Sequence, residues 1–88
     1  MMKKCTISDV RMKKIYKKIG LNVKEIRQSK NVTQLALSLA IGHKAVGVVS
    51  MAELCIQNKH FNIEHLMKIA EVLEVDVCDF FNTREDKE

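Results

Sequence analysis

The residues of this sequence that could do chemistry are few and widely spaced. The chain contains three cysteines and three histidines, and Cys55, His60 and His65 are the group that most suggests a metal ligand set. Their C-x4-H-x4-H spacing is not a usual zinc pattern, so we expect no metal site and no cofactor. The sequence has no nucleophile paired with a base, no glycine-rich phosphate loop and no paired carboxylate motif. These observations favour a binding protein over an enzyme.

Basic residues offer a different chemistry, because they are concentrated in the first third of the chain. Residues 1–30 contain ten Lys or Arg and two acidic residues, which gives a net charge of +8. Residues 31–88 contain five basic and nine acidic residues, which gives −4. A segment this basic favours a polyanion such as nucleic acid, since binding releases counterions from the phosphates. The alternative is a lysine-rich helix face that is only solvated.

The length and composition of the chain indicate one small, ordered domain. With 47% apolar residues, no proline and three glycines, its 88 residues favour a folded and mainly helical structure. We expect a single domain over 1–88, with a core over about 17–81 and a frayed tail at 82–88. The scattered cysteines, and the lack of a long apolar run or signal peptide, predict a cytoplasmic protein with no membrane span.

The apolar residues of the basic segment predict a long first helix. It begins near Ser8 or Asp9, whose side chains can cap it, and it ends near Lys30 and Asn31. Its apolar residues recur in steps of three and four, which is the pattern of one buried stripe. Gly20 lies inside that pattern and leaves open a break into two segments. The stripe consists of Met12, Ile15, Ile19, Val23 and Ile26.

A helix, a glycine turn and a second helix follow. Residues 33–40 (TQLALSLA) show the alternation of a strand, but Thr33 as an N-cap and the leucine and alanine content favour a helix. Gly42 marks a turn, and residues 44–55 have mixed helix propensity. Such a pair can bind DNA, with the first helix braced across the phosphates and the second in the major groove.

The last third of the chain predicts two further helices. Asn62 caps a clear amphipathic helix, and Glu64 in its first turn complements the helix dipole. Asp76 can cap a last short helix that docks on the core. The expected inner residues of these two helices are Ile63, Leu66, Ile69, Ala70, Leu73, Val77, Phe80 and Phe81.

The order and spacing of several residues carry a family resemblance. They are Ile26-Arg27, Thr33-Gln34, Leu37, Ile41-Gly42, Val49-Ser50, Glu53 and the run NIEHLMKIAEVLEVDVCDFF from Asn62 to Phe81. Together they resemble the Cro/C1-type (XRE) helix-turn-helix family, over roughly residues 17–81. The resemblance implies an all-α, five-helix, lambda-repressor-like DNA-binding domain, here with an extended basic N-terminal helix. It also implies a homodimer that binds a two-fold symmetric operator in double-stranded DNA.

Carried over to this sequence, the resemblance also implies which residues touch DNA. Thr33 and Gln34 would contact the DNA from the start of the second helix, where free amides suit phosphate. Asn58, Lys59 and His60 would meet the DNA backbone from the loop after the third helix, and a solvated loop is the alternative. The residues implied near the base edges are His43, Lys44, Val46, Gly47, Ser50 and Met51.

Two further features distinguish the third helix. Arg27 and Glu53 match a pair that, in the family, links the first and third helices, so the resemblance implies a structural ion pair here. Between Gly42 and Glu53, however, the chain is one residue longer than the family pattern. The third helix also lacks Arg, Gln and Asn, the common bidentate readers of bases. Base reading would therefore depend on thymine methyl contacts and DNA shape.

Three functions follow from these features. The leading one is a sequence-specific transcriptional regulator that inserts residues 44–51 into the major groove. The second is a protein-interaction module of the same fold, such as an antitoxin, in which DNA binding is secondary. Leu35 and Leu39 motivate it, because the family exposes polar residues there, although packing against the long first helix is the preferred explanation for both. The third, RNA binding, is weakened by the presence of only four aromatic residues.

Overall fold

The computed structural model describes residues 2–42 and 46–82, without the side chain of Val46, and the regular structure in these residues is entirely helical. The all-α expectation is therefore confirmed. None of the described helices is long and apolar enough to cross a membrane. The α-helices are α1 (Asp9–Ser29), α2 (Gln34–Ala40), α3 (Val46–Leu54) and α4 (Ile63–Leu73), and the two 3₁₀ helices are Ile56–Asn58 and Val77–Phe81.

The long first helix is continuous. The side-chain oxygen of Ser8 caps α1 by accepting the Arg11 N–H at 3.1 Å. Gly20 does not interrupt the helix. A Cβ added there would lie 2.6 Å from the carbonyl oxygens of both Ala52 and Glu53. Glycine therefore allows the backbone of α1 to pack directly against the C-terminal half of α3.

Side-chain caps explain where α2 and α4 begin. The Thr33 hydroxyl oxygen accepts the Ala36 N–H at 3.0 Å, so the helix expected at 33–40 forms despite its strand-like alternation. The Asn62 side chain accepts the His65 N–H at 2.7 Å, and the His65 ring nitrogen accepts the Asn62 N–H at 3.2 Å. This reciprocal capping box starts α4 at the position that the sequence predicts.

Leu35 and Leu39 are solvent-exposed, so the expectation that they pack against the first helix is wrong. Their exposed fractions are 56% and 62%, because α2 turns Leu37 and Ser38 to the core instead. Residues 35 and 39 are one helical turn apart, so both lie on the same uncovered face.

The last predicted helix is a short 3₁₀ helix and not a fifth α-helix. Asp76 caps it by accepting the Cys78 N–H at 2.9 Å, and this hydrogen bond holds the pKa of Asp76 below its usual value. Three residues per turn bring Val77 and Phe80 to the same side, where Phe80 is fully buried. Phe81 turns away and is 41% exposed, so the expectation that it docks on the core is wrong.

Asn22 fastens this end of the chain to α1. Its side-chain nitrogen donates to the carbonyl oxygens of Phe80 and Asn82, both at 3.0 Å. The carbonyl oxygen of Asn82 is thus held against α1. Residues 83–88 of the tail expected at 82–88 lie outside the described residues.

A single cluster of buried apolar side chains joins all four α-helices and the second 3₁₀ helix. It is built mainly from the faces that the sequence periodicity predicts, with additions from the loops. The expectation that Ile63 lies on the inner face of α4 is wrong, because this first residue of the helix is 68% exposed. Its members are Ile19, Val23, Leu37, Ile41, Val49, Ala52, Phe61, Leu66, Ile69, Ala70, Leu73 and Phe80.

Candidate nucleic-acid interface

Helix α3 is held by one face and uncovered on the other. Val49, Ala52 and Glu53 are buried against the rest of the protein. The remaining side of the helix is accessible, with Gly47, Ser50 and Met51 half-buried and Val48 and Leu54 exposed. Of the residues expected near base edges, Gly47, Ser50 and Met51 thus lie outside the buried face of α3. His43, Lys44 and the side chain of Val46 lie outside the described residues.

The accessible side of α3 has little polar chemistry. The Ser50 hydroxyl donates to the Gly47 carbonyl oxygen at 3.1 Å, so its proton is already used within the helix. Its oxygen lone pairs can still accept a hydrogen bond. Val48, Met51 and Leu54 offer apolar surface. This side of the helix can therefore make van der Waals contacts and accept hydrogen bonds, but its described residues carry no charge.

A buried ion pair fixes α3 against α1. The Arg27 Nε donates to Glu53 Oε2 at 2.7 Å and Nη2 donates to Oε1 at 3.1 Å. The side chains are 7% and 0% exposed, so the pair is almost wholly removed from water. Arg27 Nη1 also donates to the Val32 carbonyl oxygen at 2.7 Å. The two-pronged geometry satisfies both carboxylate oxygens and compensates the cost of burying the charges.

Gln34 joins this network. Its side-chain nitrogen donates one hydrogen bond to Glu53 Oε1 at 3.0 Å, so that amide links α2 to α3. Thr33 is exposed, and its oxygen accepts the Ala36 N–H, which is therefore no longer free, while the Thr33 hydroxyl proton can still donate. The phosphate contacts expected at the start of α2 therefore have fewer free donors than the sequence suggests. The prediction missed the link between Gln34 and Glu53, because it depends on how α2 meets α3.

The loop after α3 contains a tight, irregular turn. Cys55, Gln57 and Asn58 all have left-handed backbone angles, with φ of 55°, 55° and 59°. Left-handed residues commonly end helices, usually as glycine, and here Cys55 does so without one. The sequence carried only a weak signal for this turn, because Asn58 alone among these three residues commonly adopts left-handed angles.

This turn and the first half of α1 enclose an open groove of about 360 Å³. Beside it, the Tyr16 and His60 rings stack, with centroids 3.7 Å apart and planes 8° from parallel. Of the loop residues expected to meet DNA, Asn58 lines the groove. Lys59 is exposed on the loop. The sequence does not show that the lysines of α1 lie near this loop, because only the fold brings together residues about 40 positions apart. The groove is lined by Lys13, Lys17, Leu54, Cys55, Gln57 and Asn58.

Two other kinds of observation bear on function, and neither adds a candidate. Among residues 2–42 and 46–82, no three His, Cys, Asp or Glu side chains lie close enough together to hold a metal ion. No protein-family model, curated protein or solved structure matches this chain. The inference of function therefore depends on the chain's own residues.

Proposed function

We propose that this protein is a DNA-binding transcriptional regulator, in which α2 and α3 act as a helix-turn-helix and α3 enters the major groove. The observation that carries the proposal is how α3 is mounted. Its inner face is fixed by Val49, Ala52 and Glu53, while the side that bears Gly47 and Met51 is open. A recognition helix needs this combination, because it must be rigidly positioned and still reach base edges.

The buried network supports the same reading. Arg27, Gln34 and Glu53 tie three helices to one carboxylate, with donor–acceptor distances of 2.7 to 3.1 Å. The angle between a bracing helix and a reading helix determines which bases are reached. A charged network that has only one well-satisfied arrangement keeps that angle constant.

The chemistry of α3 indicates how it would read DNA. Val48 and Met51 can contact thymine methyl groups, and the Ser50 oxygen can accept from a base amino group. Sequence-dependent DNA shape would add to this small set of contacts. The basic first third of the chain supplies attraction that does not depend on sequence. We propose binding as a homodimer to a two-fold symmetric site, with no enzymatic activity.

Two methionine substitutions test the role of α3. Met51→Glu puts a negative charge on the open side of α3, and we expect it to abolish binding to duplex DNA by repulsion from the phosphates. Met67→Glu is the matched control, because Met67 is 53% exposed on α4. It should bind as the unsubstituted protein does. Fluorescence anisotropy with labelled duplexes measures binding, and thermal melting shows that both variants are folded.

Equal affinity of the two methionine variants would contradict the proposal. A loss of binding by Met51→Glu counts only if its melting curve remains cooperative. If that variant unfolds, Gly47→Asp replaces it, because a Cβ added at residue 47 meets no atom within 4 Å.

One observation favours a second candidate, a protein-interaction module of the antitoxin kind. Among the described residues from 31 to 58, the only charged side chain is Glu53, and it is buried. The same region exposes five large apolar side chains. Exposed apolar side chains of this kind are typical of protein contacts. This candidate predicts a stable complex with the product of a neighbouring gene, lost when Leu35 and Leu39 are both replaced by Gln. The exposed residues are Leu35, Leu39, Val48, Leu54 and Ile56.

A further inference from the structure

The groove between α1 and the loop after α3 brings together two cations and two amides from distant parts of the chain. Lys13 and Lys17 are one turn apart on α1, and both are exposed. Gln57 and Asn58 lie opposite them on the loop. Neither lysine forms an ion pair with any described residue. The groove therefore presents positive charge that the described part of the fold does not neutralise.

These donors suit a phosphate group. Ammonium groups and side-chain amides are among the protein groups that donate to phosphate oxygens in DNA complexes. The lining described above contains no acidic side chain that would repel an anion. The turn that brings Gln57 and Asn58 to the groove uses left-handed backbone angles at Cys55, Gln57 and Asn58.

The groove also lies in a suitable place relative to α3. Leu54 and Cys55, at the C-terminal end of α3, form part of its lining. A helix in the major groove is flanked by the sugar–phosphate backbones of the two strands. A phosphate held beside the end of α3 would fix how deeply, and at what angle, that helix enters.

We propose that this groove binds a backbone phosphate of the duplex that α3 reads, with Lys13 and Lys17 as the cations and Gln57 and Asn58 as further donors. The proposal rests on the DNA-binding function proposed above. A competing explanation is that the lysines only complement the negative end of the α3 dipole. The two explanations differ in whether duplex DNA contacts the groove.

A pair of double variants tests the lysines. Lys13→Gln with Lys17→Gln removes the two charges that line the groove. Lys14→Gln with Lys18→Gln removes two charges from the same helix at the same spacing, about 100° further round and outside the groove. The measurement is the dependence of duplex affinity on salt concentration. Because the groove is proposed to bind one phosphate, we expect the first pair to reduce the slope of log K against log salt by about 1, and the second by less than half as much.

The thiol of Cys55 gives an independent readout, because it lines the groove. In a variant with Cys5→Ser and Cys78→Ser, we expect saturating duplex DNA to slow alkylation of Cys55 by iodoacetamide several-fold. The control keeps Cys78 and replaces the other two cysteines. Cys78 is exposed on the second 3₁₀ helix and does not line the groove, so its alkylation rate should not change when DNA is added.

The outcomes separate this proposal from the one it rests on. If the unsubstituted protein shows no salt-dependent binding to duplex DNA, both proposals fail. If it binds, but the two double variants have equal slopes, the groove proposal alone fails. A Cys55 thiol that DNA does not protect also overturns it, because the lysines would then act at a distance from any bound phosphate.

Discussion

Gly20 and Gly47 differ in whether packing requires a glycine, and an alanine substitution at each position tests this. At Gly20 the backbone of α1 touches the carbonyl oxygens of Ala52 and Glu53, so there is no room for a Cβ. At Gly47 a Cβ meets nothing within 4 Å. Gly20 is therefore a packing requirement, whereas Gly47 only lowers the helix propensity of α3.

We expect Gly20→Ala to lower the free energy of unfolding by about 1–3 kcal/mol, because α1 and α3 must separate to admit the methyl group. Gly47→Ala should raise the same quantity by about 1 kcal/mol through helix propensity alone. Urea unfolding followed by circular dichroism measures both. An alanine at position 20 that leaves the midpoint unchanged would show that α1 and α3 do not pack as described.

At the scale of single residues, the sequence predicts part of the packing. Gly20 is visible as an irregularity in a helical pattern, and the sequence left open a break that does not occur. The pattern of one helix cannot show that a second backbone will pack against it. Gln34 is a similar case, since its side chain is engaged by Glu53, 19 positions along the chain.

At the scale of elements, the Arg27–Glu53 pair determines how the helices sit together. Arg27→Met leaves the Glu53 carboxylate buried without its cation, and we expect a loss of about 3–5 kcal/mol in the free energy of unfolding. Glu53→Leu strands the guanidinium and should cost a similar amount. The double variant removes both charges, so it should be considerably more stable than the sum of the two losses predicts.

Thermal or urea unfolding of the two single variants and the double variant gives this coupling directly. Additive losses, or single variants as stable as the unsubstituted protein, would show that the two side chains do not interact in solution. Gln34→Ala removes one hydrogen bond to the carboxylate but no charge. We therefore expect its loss in the free energy of unfolding to be smaller than that of either single charge variant.

The elements were predictable where local signals define them. Ser8, Thr33, Asn62 and Asp76 each cap a helix at the expected place, because capping depends on a residue and its next few neighbours. The turn at 55–58 was not predicted. Its left-handed angles fall on Cys, Gln and Asn, and only Asn commonly adopts them, so the local sequence gives little warning.

At the scale of the whole molecule, the distribution of charge is the feature that most favours nucleic acid. Ten of the 15 basic residues lie in the first 30 positions, and α1 spans much of that segment. A helix of 21 residues is about 30 Å long, roughly one turn of duplex DNA. Helices α2 and α3, whose one charged residue, Glu53, is buried, give the molecule a second face of different character. The groove at Lys13 and Lys17 lies where the basic helix meets the end of α3.

The groove and the open side of α3 illustrate what a sequence can and cannot say about a site. Lysines at positions 13 and 17 are visible as a spacing of one helical turn, but so are those at 14 and 18. Lys13 and Lys17 line the groove, and the other pair does not, because of the path that the loop after α3 takes. By contrast, the open side of α3 follows from one helical period, because Val49, Ala52 and Glu53 define the opposite face.

Selection from random duplex DNA, followed by sequencing and repeated at several salt concentrations, tests the central claim most directly. A dimeric reader whose α3 enters the major groove should enrich a two-fold symmetric motif, with affinity that falls steeply as salt rises. Binding that depends on salt but enriches no motif would show that the basic helix attracts DNA while α3 reads nothing. That result would contradict the proposal that α3 reads bases, and it would favour the protein-interaction module.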